Sequence, residues 1–295
     1  MFEFINTLFR HPLSKHQKLR AFARFVRWQI ASRLIDSEFI LPFIGSTYLI
    51  VKRGAHSATA CFYSHLSEPE EMLFLAKYLR KDDLFVDIGA NVGVFTIIAS
   101  GFANCTSLVF EPSSLSVNCL RRNIAINSLE ENVFVYQCAL GATEETTYLS
   151  TELATMNRIV AEDDLIKKEL VDVKTLDSFL FKMQSFSNII LKIDVEGFEY
   201  EVLKGSQNVL NLQSVNVVIL ESNSLSHNYD RFQYSTKDFL ASHGFKPFVF
   251  DIDSLSIHES DKKSFSDNFI FIRNSQLAMY RLNSSSAFSR YQDLF

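Results

Sequence analysis

From residue 84 onward the apolar residues of this chain alternate between two rhythms. Short uninterrupted runs, such as Leu84-Phe85-Val86 ahead of Asp87-Ile88, read as strands buried on both faces, since a half-exposed strand would alternate apolar with polar positions. Between them lie segments with apolar residues at helical spacing. The predicted order is strand 84–88, helix 93–100, strand 107–110, helix 114–126 and strand 133–137. After an irregular stretch come strand 188–193, helix 199–210, strand 215–220, helix 236–242 and strands near 245–250 and 268–272. Strands separated by helices imply an α/β fold, with a mostly parallel sheet covered on both faces. No helix separates the last two strands, so an antiparallel pair is expected at the end of a seven-stranded sheet.

Ahead of this alternation, 12–34 reads as one amphipathic helix with Leu19, Phe22, Ala23, Val26, Ile30 and Leu34 in a single apolar stripe. Lys15, Lys18, Arg20, Arg24, Arg27 and Arg33 make it basic, and no acid occurs between Arg10 and Ile35. Such a helix either packs its stripe on the domain or lies on an anionic membrane surface. Packing is the expectation, and peripheral membrane contact is the alternative. Runs 48–52 and 59–63 are expected to pair as a hairpin, and 68–79 to form a helix. The predicted organisation is an N-terminal helix and hairpin extension over 1–67, a domain over 68–282 and a tail over 283–295, with the Ser-rich 283–289 poorly ordered.

With 47% hydrophobic and 21% charged residues, the chain has the composition of a globular protein and not of a disordered one. A formal net charge of −5 argues against a nucleic-acid partner. The four cysteines, Cys61, Cys105, Cys119 and Cys138, form no C-x-x-C pair, so reduced thiols in a cytoplasmic protein are expected. The N-terminus shows no secretory apolar region, and no window is apolar enough for a membrane span. The expected location is the cytoplasm or, if the basic helix binds lipid, the inner membrane surface.

The chemistry concentrates at strand ends. Gly89-Ala90-Asn91-Val92-Gly93 is a tight turn between a strand and a helix, and Glu111 closes the next strand. A small-residue turn lets the backbone approach a ligand, and an acid at that strand end suits ribose hydroxyls. The turn lacks the G-x-G-x-x-G spacing of a dinucleotide site, and Asp87 would repel a pyrophosphate while suiting a cationic cofactor. Lys192-Ile193-Asp194-Val195-Glu196 ends a later strand with three charges that alternation puts on one side if the chain stays extended. Charges there are costly unless they face a crevice.

Asp87-x-Gly89-Ala90-Asn91-x-Gly93 resembles the first motif of class I S-adenosylmethionine-dependent methyltransferases. Lys192-x-Asp194-x-Glu196-Gly197-x-Glu199, with Val202-Leu203-x-Gly205 after it, resembles the signature of the FkbM family of these enzymes. Val173-Lys174-Thr175-Leu176-Asp177, Cys138-Ala139-Leu140-Gly141 and Leu220-Glu221 are similar to further segments of that family, in matching order. Ala142-Thr143 departs from its pattern, and 143–170 keeps little that aligns. The resemblance implies a Rossmann-like class I fold and O-methylation with S-adenosyl-L-methionine (SAM) of a hydroxyl-bearing acceptor, commonly a saccharide of a glycan, glycolipid or natural product. A non-catalytic cofactor-binding scaffold in glycan assembly is the alternative.

On that reading Gly89, Ala90, Asn91 and Gly93 cradle the methionine portion, with Asp87 near its amino group. Glu111 accepts from the ribose hydroxyls, while Gln137, Cys138 and Ala139 flank adenine. Asn91 and Thr96 line the site or cap the helix. Asp194 is the first candidate for the base or for the group orienting the acceptor hydroxyl. Lys192 and Glu196 tune it, bind sugar or pair structurally; Glu221 and His227 are further candidates. No metal is expected, although Asp194, Glu196 and Glu221 would offer a divalent-cation set if they converged.

Overall fold

The computed structural model describes residues 2–295 apart from 16, 36, 53–55, 152–157, 161–163, 165, 222–229, 263 and 266–267. In chain order, β1 (Phe39–Pro42) and β2 (Tyr48–Val51) form an antiparallel hairpin, followed by β3 (Leu84–Ile88), β4 (Thr106–Phe110) and β5 (Val133–Tyr136). Next come β6 (Ala139–Leu140), β7 (Glu145–Ser150), β8 (Ile159–Val160) and β9 (Lys168–Lys174), which make a small sheet in the order β6-β9-β7-β8. Then follow β10 (Ile189–Ile193), β11 (Val215–Glu221), β12 (Lys246–Asp251), β13 (Ser256–Glu259) and β14 (Asn268–Ile272). The central sheet runs β13-β12-β14-β11-β10-β3-β4-β5. Strands β11, β10, β3, β4 and β5 are parallel, and β14 is antiparallel to both β11 and β12.

Every residue of β3, β10 and β14 is buried, which explains the uninterrupted apolar runs. One apolar cluster lies on each face of this sheet. The antiparallel end appears as expected, but among the described residues the sheet has eight strands and not seven. Strand β13 escaped notice because it buries only Ile257 and so carries no apolar period. The stretch read as irregular holds the second sheet, where β9 buries Val171 and Val173 in alternation.

Other expectations shift locally. The helix read over 199–210 is two, Glu199–Lys204 and Gln207–Asn211, and the Gly205 carbonyl between them accepts from Asp177 N. Strand β2 pairs with β1, not with 59–63, which lies within the helix His56–Ser64. The β1–β2 turn is held by Thr47, whose hydroxyl donates to the Ile44 carbonyl at 2.7 Å. The tail is not loose. The helix Ser275–Ser284 extends into it, Phe288 and Leu294 are buried in the core, and Lys77 Nζ donates to the Phe288 carbonyl at 3.0 Å.

The N-terminal reading needs the largest correction. Two helices, Phe2–Arg10 and Lys18–Leu34, replace the single one expected over 12–34, with backbone turns at His11–Lys15 between them. The second helix buries Ala21, Phe25, Trp28 and Ser32, with Phe25 against Tyr63 and Trp28 edge-on to Phe39. Of the expected apolar stripe, Leu19, Phe22, Ala23, Ile30 and Leu34 are exposed and Val26 is half-buried. Spacing alone could not choose between two apolar faces, and the aromatic one docks because it removes more surface from water. No described helix is long and apolar enough to cross a membrane.

Candidate active site

The carboxyl ends of β3, β4, β10 and β11 open onto a cavity of about 360 Å³, a size suited to a small-molecule ligand. Its wall includes Gly89, Ala90 and Asn91 after β3, Glu111 after β4, Cys138 and Ala139 beyond β5, Lys192, Asp194 and Glu196 at the end of β10, and Glu221 at the end of β11. Residues read as two separate sequence signatures therefore share one chamber.

The β3 turn is built by backbone contact between strand ends. Asp194 N donates to the Ile88 carbonyl at 3.0 Å, and Gly89 N donates to Phe110 O at 2.9 Å. Gly89 has φ +78°, and a Cβ there would lie 1.8 Å from the Asp194 carbonyl oxygen. The glycine thus admits the Asp194 segment as well as a ligand. Gly93, also left-handed at φ +86°, starts a short helix, Val94–Thr96, that continues in wider π-type turns over Ile97–Phe102.

Glu111 is buried, and its two carboxylate oxygens accept from Asn91 N and Ser113 N, each at 2.8 Å. Burial pushes its pKa up to about 7 against the pull of those donors. Each oxygen keeps a lone pair for a further donor. The acid is thus fixed before any ligand arrives.

Asp87 sits deeper than expected. It is buried and absent from the cavity wall; its Oδ2 accepts from the Thr96 hydroxyl at 2.6 Å and its Oδ1 is unpartnered. Thr96 therefore serves Asp87 and does not line the site. Gln137 is exposed and donates to Ser114 Oγ at 3.0 Å, away from the cavity wall. Its alternating neighbours on the strand exit, Cys138 and Ala139, do reach the wall. His227 lies outside the described residues.

On the cavity wall, Lys192 is registered beside Asp87, and its Nζ donates to Asp194 Oδ2 at 2.6 Å while lying 4.5 Å from the Phe95 ring centre. Burial opposes the lysine charge, but Asp194, Glu68 and Asp87 together outweigh it and hold the ammonium above the ordinary lysine range. For Asp194, burial is likewise outweighed, by Lys192 and by a hydrogen bond from Glu221, so its pKa is lowered. Burial first, and then the Asp194 charge, push Glu221 up to about 12. The two acids are thus driven in opposite directions, Asp194 down by Lys192 and Glu221 up by burial beside it.

The chain does not stay extended past Asp194, because Glu196 has φ +51° and Gly197 φ +100°. That bend still brings Glu196 within reach, and oxygens of Asp194, Glu196 and Glu221 lie within 4.8 Å of one another. Three convergent carboxylates have the oxygen donors a divalent cation prefers, so the convergence on which that set depended is geometrically present.

Two charged cavity residues escaped the sequence reading. Glu68 enters from the segment before the helix Pro69–Tyr78, accepts from Asn268 Nδ2 at 2.7 Å, and is pushed by burial up to about 7. Its one sequence signal, an acid just ahead of Pro69, reads equally as a helix start. Arg158 comes from the stretch beside β8 that aligns with nothing familiar.

Residues 87–247, more than half of the chain, match the family described as Methyltransferase FkbM domain. The chain belongs to the FkbM methyltransferase family. It is 28% identical over 146 residues to Methyltransferase 1 of Beauveria bassiana, covering 42% of this chain and 58% of that protein. It is also 28% identical over 166 residues to the hexuronic acid methyltransferase AglP of Haloferax volcanii, covering 52% of this chain and 62% of that one. The match thus spans about three-fifths of each relative's length. Among solved structures, the precorrin-6y C5,15-methyltransferase of Geobacter metallireducens has 13% identity, a TM-score of 0.38, and coverage of 68% of this chain and 84% of that one.

The chamber fits SAM, the cofactor that the family match implies. The Gly89–Asn91 backbone borders open space without side-chain bulk, and Glu111 presents a prearranged acceptor beside it. Bound SAM supplies a methyl group activated by its sulfonium.

Proposed function

We propose that the protein transfers the SAM methyl group to a hydroxyl of a saccharide acceptor. Glu111 would hold the ribose hydroxyls, the Gly89–Asn91 backbone the methionine portion, and Cys138 and Ala139 the adenine side. Asp87, set behind the turn, would act through its field and not by contact. Asp194 would take the proton of the acceptor hydroxyl, with Lys192 keeping it ionised and Glu221 orienting it through their shared proton. Glu196 and Glu68 would accept from other acceptor hydroxyls.

The observation carrying this reading is the convergence of Asp194, paired with Lys192 Nζ at 2.6 Å, with Glu221 and Glu196 on the cavity wall, the first carboxyl drawn down in pKa and the second pushed up. Two neighbouring carboxyls with separated proton affinities are a suitable arrangement for acid–base work on a neutral alcohol. The name of the Haloferax volcanii relative supports a sugar acceptor. In-line displacement from a sulfonium otherwise needs alignment and exclusion of water, which a walled cleft at the strand ends favours.

The test is methyl transfer from labelled SAM to hexuronic acids and hexuronate-bearing glycans. Asp194→Asn should lower turnover about 10²–10⁴-fold, the usual contribution of a general base. SAM affinity should stay near that of the wild type. Near-normal turnover in that variant would exclude Asp194 as the base, and a variant that also loses SAM would make it a cofactor ligand.

A further inference from the structure

The helix Lys18–Leu34 has two apolar faces, and the second is only partly used inside the fold, where Val26 packs against the core and Phe22 lies 6.4 Å from the Phe9 ring. At about 100° per residue, the buried Ala21, Phe25, Trp28 and Ser32 occupy a narrow arc. Leu19, Ala23, Ile30 and Leu34 lie on the opposite side of the cylinder, with Phe22 and Val26 between the two faces; Leu19 is 86%, Ile30 54% and Leu34 79% exposed. A helix of 17 residues carries this ridge for about 25 Å. Isolated exposed apolar residues are ordinary, but a continuous stripe along a helix is not.

Charge says what the stripe fits. Arg20 and Arg27 flank it on one edge, Lys18 borders the other, and Arg33 lies within its C-terminal end; all four are exposed. None forms an ion pair with a described acid: Arg20 donates to Gln17 Oε1, and Arg33 to the Gln29 carbonyl and side chain. Arg24, by contrast, faces the domain and donates to the Tyr63 carbonyl. The helix itself contains no acid, in a protein whose formal net charge is −5.

We propose that this face is a docking surface for an anionic lipid bilayer, with the Leu19–Leu34 ridge entering the interface and Lys18, Arg20, Arg27 and Arg33 meeting lipid phosphates. An apolar stripe bordered by unpaired cations is the arrangement by which a helix lies in the plane of a membrane. Overall negative charge would oppose nonspecific adsorption, so attraction is confined to this helix.

The test is co-sedimentation of the full chain with vesicles of phosphatidylcholine mixed with phosphatidylglycerol, and with phosphatidylcholine alone. Binding should need the anionic lipid and fall as salt rises. Arg20→Gln, Arg27→Gln and Arg33→Gln combined should weaken partitioning roughly a hundred-fold, at several-fold per cation. Leu19→Ser with Ile30→Ser should abolish it while both variants melt like the wild type, since every altered side chain is exposed. Absence of wild-type binding to anionic vesicles would overturn the proposal, as would equal binding of wild type and either variant, or equal binding to both lipid mixtures. Self-association in the ultracentrifuge that the Leu19/Ile30 variant loses, without vesicle binding, would replace lipid by a second copy of the chain.

Discussion

Replacing Glu111 with alanine separates two jobs that one carboxylate performs. In the free protein its oxygens accept from Asn91 N and Ser113 N, so truncation strips two backbone donors of their partner inside a buried turn. An unsatisfied buried donor costs about 1–3 kcal/mol, reduced if water enters the vacated space. Relief of burying the carboxylate offsets part of this, so the melting temperature should fall by a few degrees, not collapse. On the cofactor side, two hydrogen bonds to a charged acceptor should disappear, weakening SAM binding by about 1.5–3 kcal/mol, or roughly ten- to hundred-fold. Titration calorimetry with SAM and thermal melting without it, on one preparation, measure both. Unchanged affinity would refute the assignment of Glu111 to the ribose. An unchanged melting temperature would refute its structural role, which sequence reasoning did not foresee.

Gly89→Ala should be more damaging, because its Cβ would overlap the Asp194 carbonyl at 1.8 Å and favour a φ other than +78°. Loss of both SAM binding and turnover, with a marked fall in melting temperature, is expected; a normal melt and activity would contradict the contact. Burial pushes Glu71 up to about 8, above its unfolded value of 4.5. Its stabilising contribution is therefore complete below about pH 4.5 and is lost as pH rises through about 8, at up to roughly 1.4 kcal/mol per pH unit. Glu71→Gln should accordingly raise the melting temperature at pH 8 relative to wild type more than at pH 5, and an equal effect at both would exclude the titration. Phe288→Ala should cost about 3–5 kcal/mol by chemical denaturation if the tail is anchored as described, against less than 1 for a loose tail.

Strands β3, β4, β10 and β11 were legible because they are largely buried on both faces, which writes an apolar run into the sequence, although the edge strand β5 exposes Phe134. Glu111, Asp194 and Glu221 were legible because a charge closing such a run has few places to go. What stayed hidden lacked a local signal. Strand β13 buries a single residue, and Glu68 reaches the chamber from far away in the chain. Asp87 was identified as important but placed one layer too near the ligand, since its Thr96 partner depends on how the helix leaves the turn. For the helix Lys18–Leu34, periodicity found a real apolar stripe and assigned it to the wrong side of the cylinder. His227 lies outside the described residues, so its expected role is unsupported by geometry.

The position of β14 between β11 and β12 has a consequence for the order in which the protein can be assembled. During synthesis, β12 leaves the ribosome well before β14, yet has no place in the sheet until β14 has paired with β11. Until then β11 has an open hydrogen-bonding edge, and β12 has only its hairpin partner β13. Such an edge invites pairing with another chain. Strand β14 is therefore the keystone of the sheet, and a released chain truncated between residues 252 and 268 would keep the β11 edge open and be prone to aggregate.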